Sequence, residues 1–499
     1  MAKIAEIASQ NPWWKHEAGF DQYDKNLQET KPIFFGRKGL ELEKGCIYIL
    51  RGPRQVGKTT YLKDLIRGLI KKGVSPRDIL YLSLDFFTSR REMRSAITYF
   101  LETTRDSAMI YLFLDEITSL EDWNLELKFM ADQGITKRGV ILTTGSSAVK
   151  LKVKGELLPG RGLEGNEYHM RPLSFREFAL QSIDFIAAMI TRDEFWDSLN
   201  KLKPVLKESS IDLSQSLVDI RKETQKVLHF KKEVGYLFQI YLITGGLPRV
   251  INHYLENRYS KKDKEIIKPE VSEIFIRDIL GDLSRVQRQE IIARQIMKAI
   301  VERYGSRYSF SKLSREIDRT HITTIDYLEF LEDSFISFIL YAYDFNSKEP
   351  KWKGDKKVYF FDPFIFHSVN VYLKGEEILD TITATMQDEE RQSKLVEGIV
   401  ISHLLMHREI PFIRAAKTFL WSYYDKSGKE IDAILKENGG YSGIEVKYRA
   451  QVNETRMKKI EPVTKYIILS KDEVGGEGKT MIVPVDIFLS LLITSEKNI

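Results

Sequence analysis

A single cysteine in 499 residues, Cys46, excludes an internal disulfide and leaves no second thiol for a zinc or redox pair. It stands in an apolar run, the setting of a packed core thiol rather than a nucleophile. No apolar run reaches the roughly 18 residues that a membrane-spanning helix requires. The opening Met-Ala-Lys-Ile-Ala-Glu is too short an apolar stretch for a secretory signal, so a cytoplasmic chain without a membrane is expected. Charge of one sign is lacking too: 76 Lys and Arg against 71 Asp and Glu leave +5, too little for bulk charge to name a nucleic-acid partner. Internal repeats and low-complexity segments are absent. What is there is a globular mix, 43% hydrophobic and 29% charged. At roughly 150 residues per domain, the length predicts about three modules.

Residues 45–51, Gly-Cys-Ile-Tyr-Ile-Leu-Arg, read as a buried strand, and the amphipathic run from Thr59 to Lys71 reads as a helix closed by Gly73. Between them stands Gly52-Pro53-Arg54-Gln55-Val56-Gly57-Lys58-Thr59, the G-x-x-x-x-G-K-[ST] pattern in its required strand-to-helix context. The two glycines let the backbone turn its N–H groups toward phosphate, and the helix N-terminus adds a dipole that favours the anion. Lys58 is expected on the β- and γ-phosphates of ATP, Thr59 on Mg²⁺, and Thr60 beside them. The strand Tyr111-Leu112-Phe113-Leu114 ends in Asp115 and Glu116. Asp115 is placed to hold Mg²⁺ through water, and Glu116 to polarise the attacking water. Short apolar runs at 79–84, 110–114 and 139–144 alternate with helical segments, which predicts a parallel sheet covered on both faces.

Three further groups are candidates for the γ-phosphate. Thr144, or Ser146, ends the run Val-Ile-Leu-Thr-Thr-Gly-Ser-Ser, where a hydroxyl can sense phosphate. Arg161, in Leu-Pro-Gly-Arg-Gly, stands on a glycine loop from which a guanidinium can project to a neighbouring subunit as an arginine finger. Arg249 follows Gly245-Gly246-Leu247-Pro248, a turn fixed by two glycines and a proline.

This set of motifs resembles the AAA+ superfamily, and within it archaeal and bacterial ATPases with a Gly-Pro-Arg-Gln-x-Gly-Lys-Thr loop, a Leu-Asp-Glu-Ile strand end, and a Gly-Arg followed by Pro-Leu-Ser-Phe-x-Glu-Phe. Those elements stand here at 52–59, 114–117, 160–161 and 172–178, and Asn11-Pro12-Trp13-Trp14 and the Gly-Gly-x-Pro turn at 245–248 look like the same group. The resemblance spans roughly residues 30 to 255 and implies an ATPase core, a helical lid and a C-terminal domain similar to restriction-endonuclease folds. The helical run from about Trp196 to Val234 is longer than in simpler members. The fold class expected is therefore α/β: an AAA+ P-loop core at 1–180, a helical lid at 181–288, a winged helix at 289–361 and a nuclease-like α/β domain at 362–499.

In the C-terminal half, Asp432 and then Glu445-Val446-Lys447 resemble the D…E-x-K pattern of PD-(D/E)xK nucleases. Strand alternation puts Glu445 and Lys447 on one face, where two carboxylates can hold Mg²⁺ and the lysine can stabilise a hydroxide, with Glu397 completing the acidic set. The motif fits either a working nuclease or a structural or DNA-holding remnant. The winged-helix segment carries Arg315, Arg319, Thr320, His321, Thr323, Thr324 and Tyr327 near its third helix. A basic wing is expected from Lys351, Trp352, Lys353, Lys356 and Lys357. The reading that follows is an ATP- and Mg²⁺-dependent oligomer, hexamer-like in its ring, that acts on DNA. The alternatives are a nucleotide-controlled switch that binds a protein, and an ATP-regulated, metal-dependent endonuclease.

Overall fold

The computed structural model describes residues 2–17, 19–30, 32–145, 166–190, 194–260, 266–408, 417–437, 439–448, 460–495 and 499. Two compact units divide the chain: one runs to Arg171 and takes up Ile499, and the other runs from Pro172 to Ser495.

The first unit is built on five parallel strands, β1 (Ile47–Arg51), β2 (Ile79–Ser83), β3 (Ile110–Asp115), β4 (Gly139–Gly145) and β5 (Glu167–His169), in the order β2-β3-β4-β1-β5. β1, β3 and β4 are buried along their whole length, as their uninterrupted apolar runs predict for a sheet covered on both faces. Alternation sorts their side chains. Tyr48, Phe113 and Leu142 pack with Leu62 and Ile66 of helix α1 (Lys58–Lys71). Ile47, Ile49, Leu112 and Ile141 pack with Met93, Ile97 and Phe100 of α2 (Arg90–Thr103) and Leu127 of α3 (Trp123–Asp132). β2 is an edge strand, and its exposed ladder is closed by the N-terminal segment. Asn11 accepts from Tyr81 N at 2.7 Å and donates to Tyr81 O at 2.9 Å, while the indole N–H groups of Trp13 and Trp14 both donate to Ile79 O. The Asn-Pro-Trp-Trp motif thus caps a sheet edge.

The second unit opens with six helices where a helical stretch was expected: α4 (Phe175–Met189), α5 (Glu194–Glu208), α6 (Leu217–Leu228), α7 (Lys231–Thr244), α8 (Pro248–Ser260) and α9 (Pro269–Arg285). Three further helices follow, α10 (Glu290–Glu302), α11 (Phe310–Glu316) and α12 (His321–Asp333), the last two capped by Ser309 and Thr320. They lead into an antiparallel pair, β6 (Ser337–Tyr341) and β7 (Lys356–Phe360). After α13 (Pro363–Lys374), α14 (Ile378–Gln387) and α15 (Glu389–His407), which is buried from Leu395 onward, comes a mixed five-stranded sheet. Its strands β8 (Leu420–Tyr424), β9 (Glu430–Glu437) and β10 (Gly440–Lys447) are antiparallel neighbours, and β11 (Val463–Ser470) and β12 (Thr480–Pro484) extend it in parallel.

Two contacts tie this unit together at sequence motifs. Ser174 forms a capping box with Glu177 at the start of α4, and the next amide, Phe175 N, donates to His403 Nε2 of α15 at 2.8 Å. The Pro-Leu-Ser-Phe-x-Glu-Phe motif is therefore the docking point of a C-terminal helix, and the division of the chain into compact units falls before it, between Arg171 and Pro172. The turn at Gly245 is the second. Gly245 has φ +60, and a Cβ there would overlap the Asp362 carboxylate, which accepts from Gly246 N at 2.7 Å and caps α13 through Phe364 N at 2.8 Å. Among the described residues no single helix is long and apolar enough to cross a membrane.

Candidate functional site

The loop between β1 and α1 takes its shape from three positions. Gly57 has φ +98 and Gln55 has φ +64, a left-handed conformation that costs a non-glycine residue about 1–3 kcal/mol and is found where a function demands it. At Gly52 a Cβ would overlap the carbonyl oxygen of Met170, whose amide donates to Arg51 O at 2.7 Å. Lys58, the first residue of α1, is buried, and its Nζ donates to Gly52 O and Pro53 O, both at 3.0 Å, with Glu116 Oε1 at 3.5 Å. Pro53 and Val56 are buried, while Arg54, Gln55 and Thr60 are half-exposed around the loop.

The order of the sheet explains how the acidic pair reaches this loop. β4 lies between β1 and β3, so the loop and the end of β3 are separated by two strand spacings, about 10 Å at the backbone, and Thr144, near the end of β4, lies between them. Asp115 Oδ2 accepts from Thr59 Oγ1 at 2.6 Å and from the Tyr81 hydroxyl at 2.8 Å, and its Oδ1 accepts from Thr144 Oγ1. The Thr144 oxygen in turn accepts from Glu116 N at 2.9 Å, where Glu116 sits at φ +50. Thr144 thus has its hydroxyl proton on Asp115, and acts as a positioning residue for both acids. Burial and the Asp115 charge hold the Tyr81 phenol well above its ordinary pKa, which keeps it a donor. Tyr81 carried no motif and was not foreseen. Its only signal was its place on β2, the strand next to β3.

Thr59, Asp115, Glu116 and Lys58 are therefore gathered in one place, with the donor set that a triphosphate and a magnesium ion require: backbone amides at a helix start, an ammonium, a hydroxyl and two carboxylates. Arg161 and Ser146 lie outside the described residues. Arg249 is the second residue of α8, in the second unit.

The second predicted constellation also comes together, around a residue that was expected elsewhere. Lys357 of β7 is 1% exposed, with its Nζ 2.8 Å from Glu397 Oε1, 3.0 Å from Asp432 Oδ1 and 3.1 Å from Glu430 Oε1. Tyr359 donates to the same Glu397 oxygen, and Lys394 reaches Glu397 Oε2 at 3.0 Å. Asp432 Oδ2 accepts from Val446 N at 3.0 Å, and Lys447 pairs with Glu445 at 2.6 Å. Burial would lower the Lys357 ammonium, but the charges of Tyr359, Asp432, Glu397 and Glu430 outweigh it and hold it well above the ordinary lysine range. Burial, then the neighbouring Asp432 charge, push Glu445 up to about 7. Among the described residues no three His, Cys, Asp or Glu side chains form a group able to hold a metal ion.

The expected basic wing loses half its charge to this arrangement, because Lys356 and Lys357 are both buried and only Lys351, Trp352 and Lys353 remain at the surface. On α12, Thr324 and Tyr327 are buried as well, the tyrosine hydroxyl accepting from Gln289 N at 2.7 Å. Arg315, Arg319, Thr320 and His321 are exposed, Thr323 is half-exposed, and Ile322 is 80% exposed.

Comparison with known proteins agrees with the geometry of the first site. Residues 44–179 match an AAA domain, residues 236–375 and 392–487 each match a domain of unknown function, and none of the three spans half the chain. An uncharacterized protein of Haemophilus influenzae is 23% identical over 321 residues, 60% of this chain and 64% of the relative, so the chain spans less than two thirds of that relative's length. Among solved structures, the Orc1 protein of Aeropyrum pernix in complex with DNA is 10% identical at a TM-score of 0.32, covering 76% of this chain and 92% of that one. Cdc6p from Pyrobaculum aerophilum is 13% identical at 0.24, covering 74% and 95%. AMPPCP-bound DnaA from Aquifex aeolicus is 15% identical at 0.24, covering 63% and 88%. TM-scores this low establish no common architecture over the aligned lengths. The part of the chain assigned by comparison is thus the nucleotide module at 44–179, an AAA domain on a five-stranded parallel sheet.

Proposed function

We propose that this chain binds ATP with magnesium at residues 52–60 and 115–116, hydrolyses it, and acts on DNA as a homo-oligomer. The observation that carries the first part is the shared placement of Thr59 and Asp115, 2.6 Å apart, beside a buried Lys58 at the start of a helix. Lys58 and the loop amides would take the β- and γ-phosphates, and Thr59 and Asp115 would hold the magnesium, whose part is to polarise the phosphoryl oxygens. Glu116 would orient and deprotonate the attacking water. Arg161 of a neighbouring subunit is the proposed further cation. Lys58→Ala should abolish nucleotide binding, whereas Glu116→Gln should bind ATP and lose on the order of 10²–10⁴ in turnover. Equal turnover in wild type and Glu116→Gln would remove Glu116 from the reaction.

The DNA part rests on α10, α11, α12, β6 and β7, whose order is that of a winged helix, and on the exposed Arg315, Arg319, His321 and Ile322. One observation favours the second reading, a nucleotide-controlled switch that binds a protein: the burial of Lys356, Lys357, Thr324 and Tyr327 leaves a smaller basic surface. Turnover measured with duplex, forked and four-way DNA separates the two. Stimulation that disappears in an Arg315→Ala, Arg319→Ala protein supports action on DNA, and unchanged turnover on all three supports the switch.

A further inference from the structure

The acidic cluster of the C-terminal sheet already contains a cation. Its position is the informative feature: the Lys357 ammonium bridges carboxylates from α15 and β9, Glu397 at 2.8 Å and Asp432 at 3.0 Å, two of the three acids expected to hold a divalent ion. Lys357 comes from β7, outside the sheet that carries the D…E-x-K residues, so nothing in that motif announces it. Charge accounting agrees. The carboxylates are Glu397, Glu430, Asp432 and Glu445, and the ammonium groups within 3.1 Å of them are Lys357, Lys394 and Lys447. A divalent ion placed between Glu397 and Asp432 would stand against the buried Lys357 ammonium, where repulsion is screened least, with the partly exposed Lys394 and Lys447 adding to it from the edge of the cluster. The bridging distances are those of N–H···O bonds, well beyond the roughly 2.1 Å of magnesium to oxygen.

We propose that Lys357 is the resident cation of this cluster, standing where a nuclease of the same motif would hold its metal, so that the site is closed to divalent ions and becomes a divalent-cation site when the ammonium is removed. The same ion pairs join β7 to α15 and β9, and so fasten the β6–β7 hairpin to the C-terminal sheet. Asp432 of the D…E-x-K set, with Glu397, then serves as the socket of an internal lock.

The test is Mn²⁺ binding to the full chain without nucleotide, followed by the loss of the free-ion resonance. Wild type should show no Mn²⁺ site that depends on Asp432, judged against Asp432→Asn. Lys357→Met should gain one equivalent of bound Mn²⁺, at least about tenfold tighter than any ion on wild type, and should lose it again in Lys357→Met/Asp432→Asn. Should Lys357→Met fail to fold, Lys357→Met/Glu397→Gln removes one charge of each sign, keeps Asp432 and Glu445, and takes the same titration. An Asp432-dependent Mn²⁺ site in wild type overturns the proposal, and so does the absence of any gain in the folded Lys357 variant.

Discussion

A threonine hydroxyl has one proton to give, and Thr144 gives it to Asp115 while accepting from Glu116 N. One side chain therefore fixes both the acid expected to hold magnesium and the acid expected to hold water. Thr144→Val keeps the shape of the residue and removes both bonds, leaving a buried carboxylate oxygen and an amide to find other partners at about 1–3 kcal/mol. The expected result is a fall in kcat of about tenfold or more, at 1.4 kcal/mol per factor of ten, with little change in ATP affinity and recovery in Thr144→Ser. A change in affinity alone, with kcat intact, would instead make Thr144 a binding residue. Gly52 makes a second residue-scale case. Its Cβ would overlap the backbone of Met170, which has no flexible end to swing aside, so Gly52→Ala should lower the melting temperature and weaken nucleotide binding together.

At the scale of elements, the link between α4 and α15 is set by the protonation of one histidine. His403 accepts from Phe175 N through Nε2, so its proton is on Nδ1, which donates to Ile399 O at 2.8 Å. Burial holds His403 down to about 4, against an ordinary 6.5. Because the folded pKa is the lower one, the unfolded chain takes up the proton first as pH falls, and stability is lost between about 6.5 and 4. At 1.36 kcal/mol per pKa unit, the loss assigned to this group is about 3 kcal/mol. His403→Gln keeps an acceptor for Phe175 N and cannot titrate, so its stability relative to wild type should rise by that order from pH 7 to pH 4 in chemical denaturation. A constant difference across that range would mean that His403 does not titrate with unfolding. Asp362 has the opposite sign: burial pushes it up to about 7, so its protonation favours the fold as pH falls, and only such differences between variants isolate either group.

The same elements show what was legible in the sequence. The loop at 52–59 and the strand end at 115–116 could be read because each is a local pattern whose chemistry and geometry are set within a few residues. The parallel core followed from the short apolar runs at 79–84, 110–114 and 139–144, which recur as β2, β3 and β4. Lys356 and Lys357 could not be read. Consecutive residues on a strand face opposite ways, and a surface hairpin would expose one of them, but here one side meets Phe310 and Tyr341 and the other meets a separate carboxylate cluster. The role of the Asn-Pro-Trp-Trp segment was hidden for a similar reason, since its partner strand lies about 70 residues away.

For the molecule as a whole, the two compact units separate the nucleotide loop and its acids from the helices, hairpin and mixed sheet that follow Pro172. If the chain turns over ATP as proposed, that chemistry does work only when a neighbouring copy or a bound partner responds to it. The proposed oligomer should appear as a rise in mass when ATP is added to Glu116→Gln, the variant expected to bind without turnover, and Arg161→Ala should assemble but hydrolyse on the order of 10³-fold more slowly. A monomer under all nucleotide conditions would leave Arg161 no neighbour to act on.

The claim on which all of this depends is that loop amides, Lys58, Thr59 and Asp115 hold a magnesium–nucleotide complex. Calorimetric titration of ATP into wild type and Lys58→Ala, with magnesium and with EDTA, measures it directly. The account predicts one site per chain that needs both magnesium and Lys58. A folded wild-type protein that binds no ATP, or binds it equally well without magnesium and without Lys58, would contradict it.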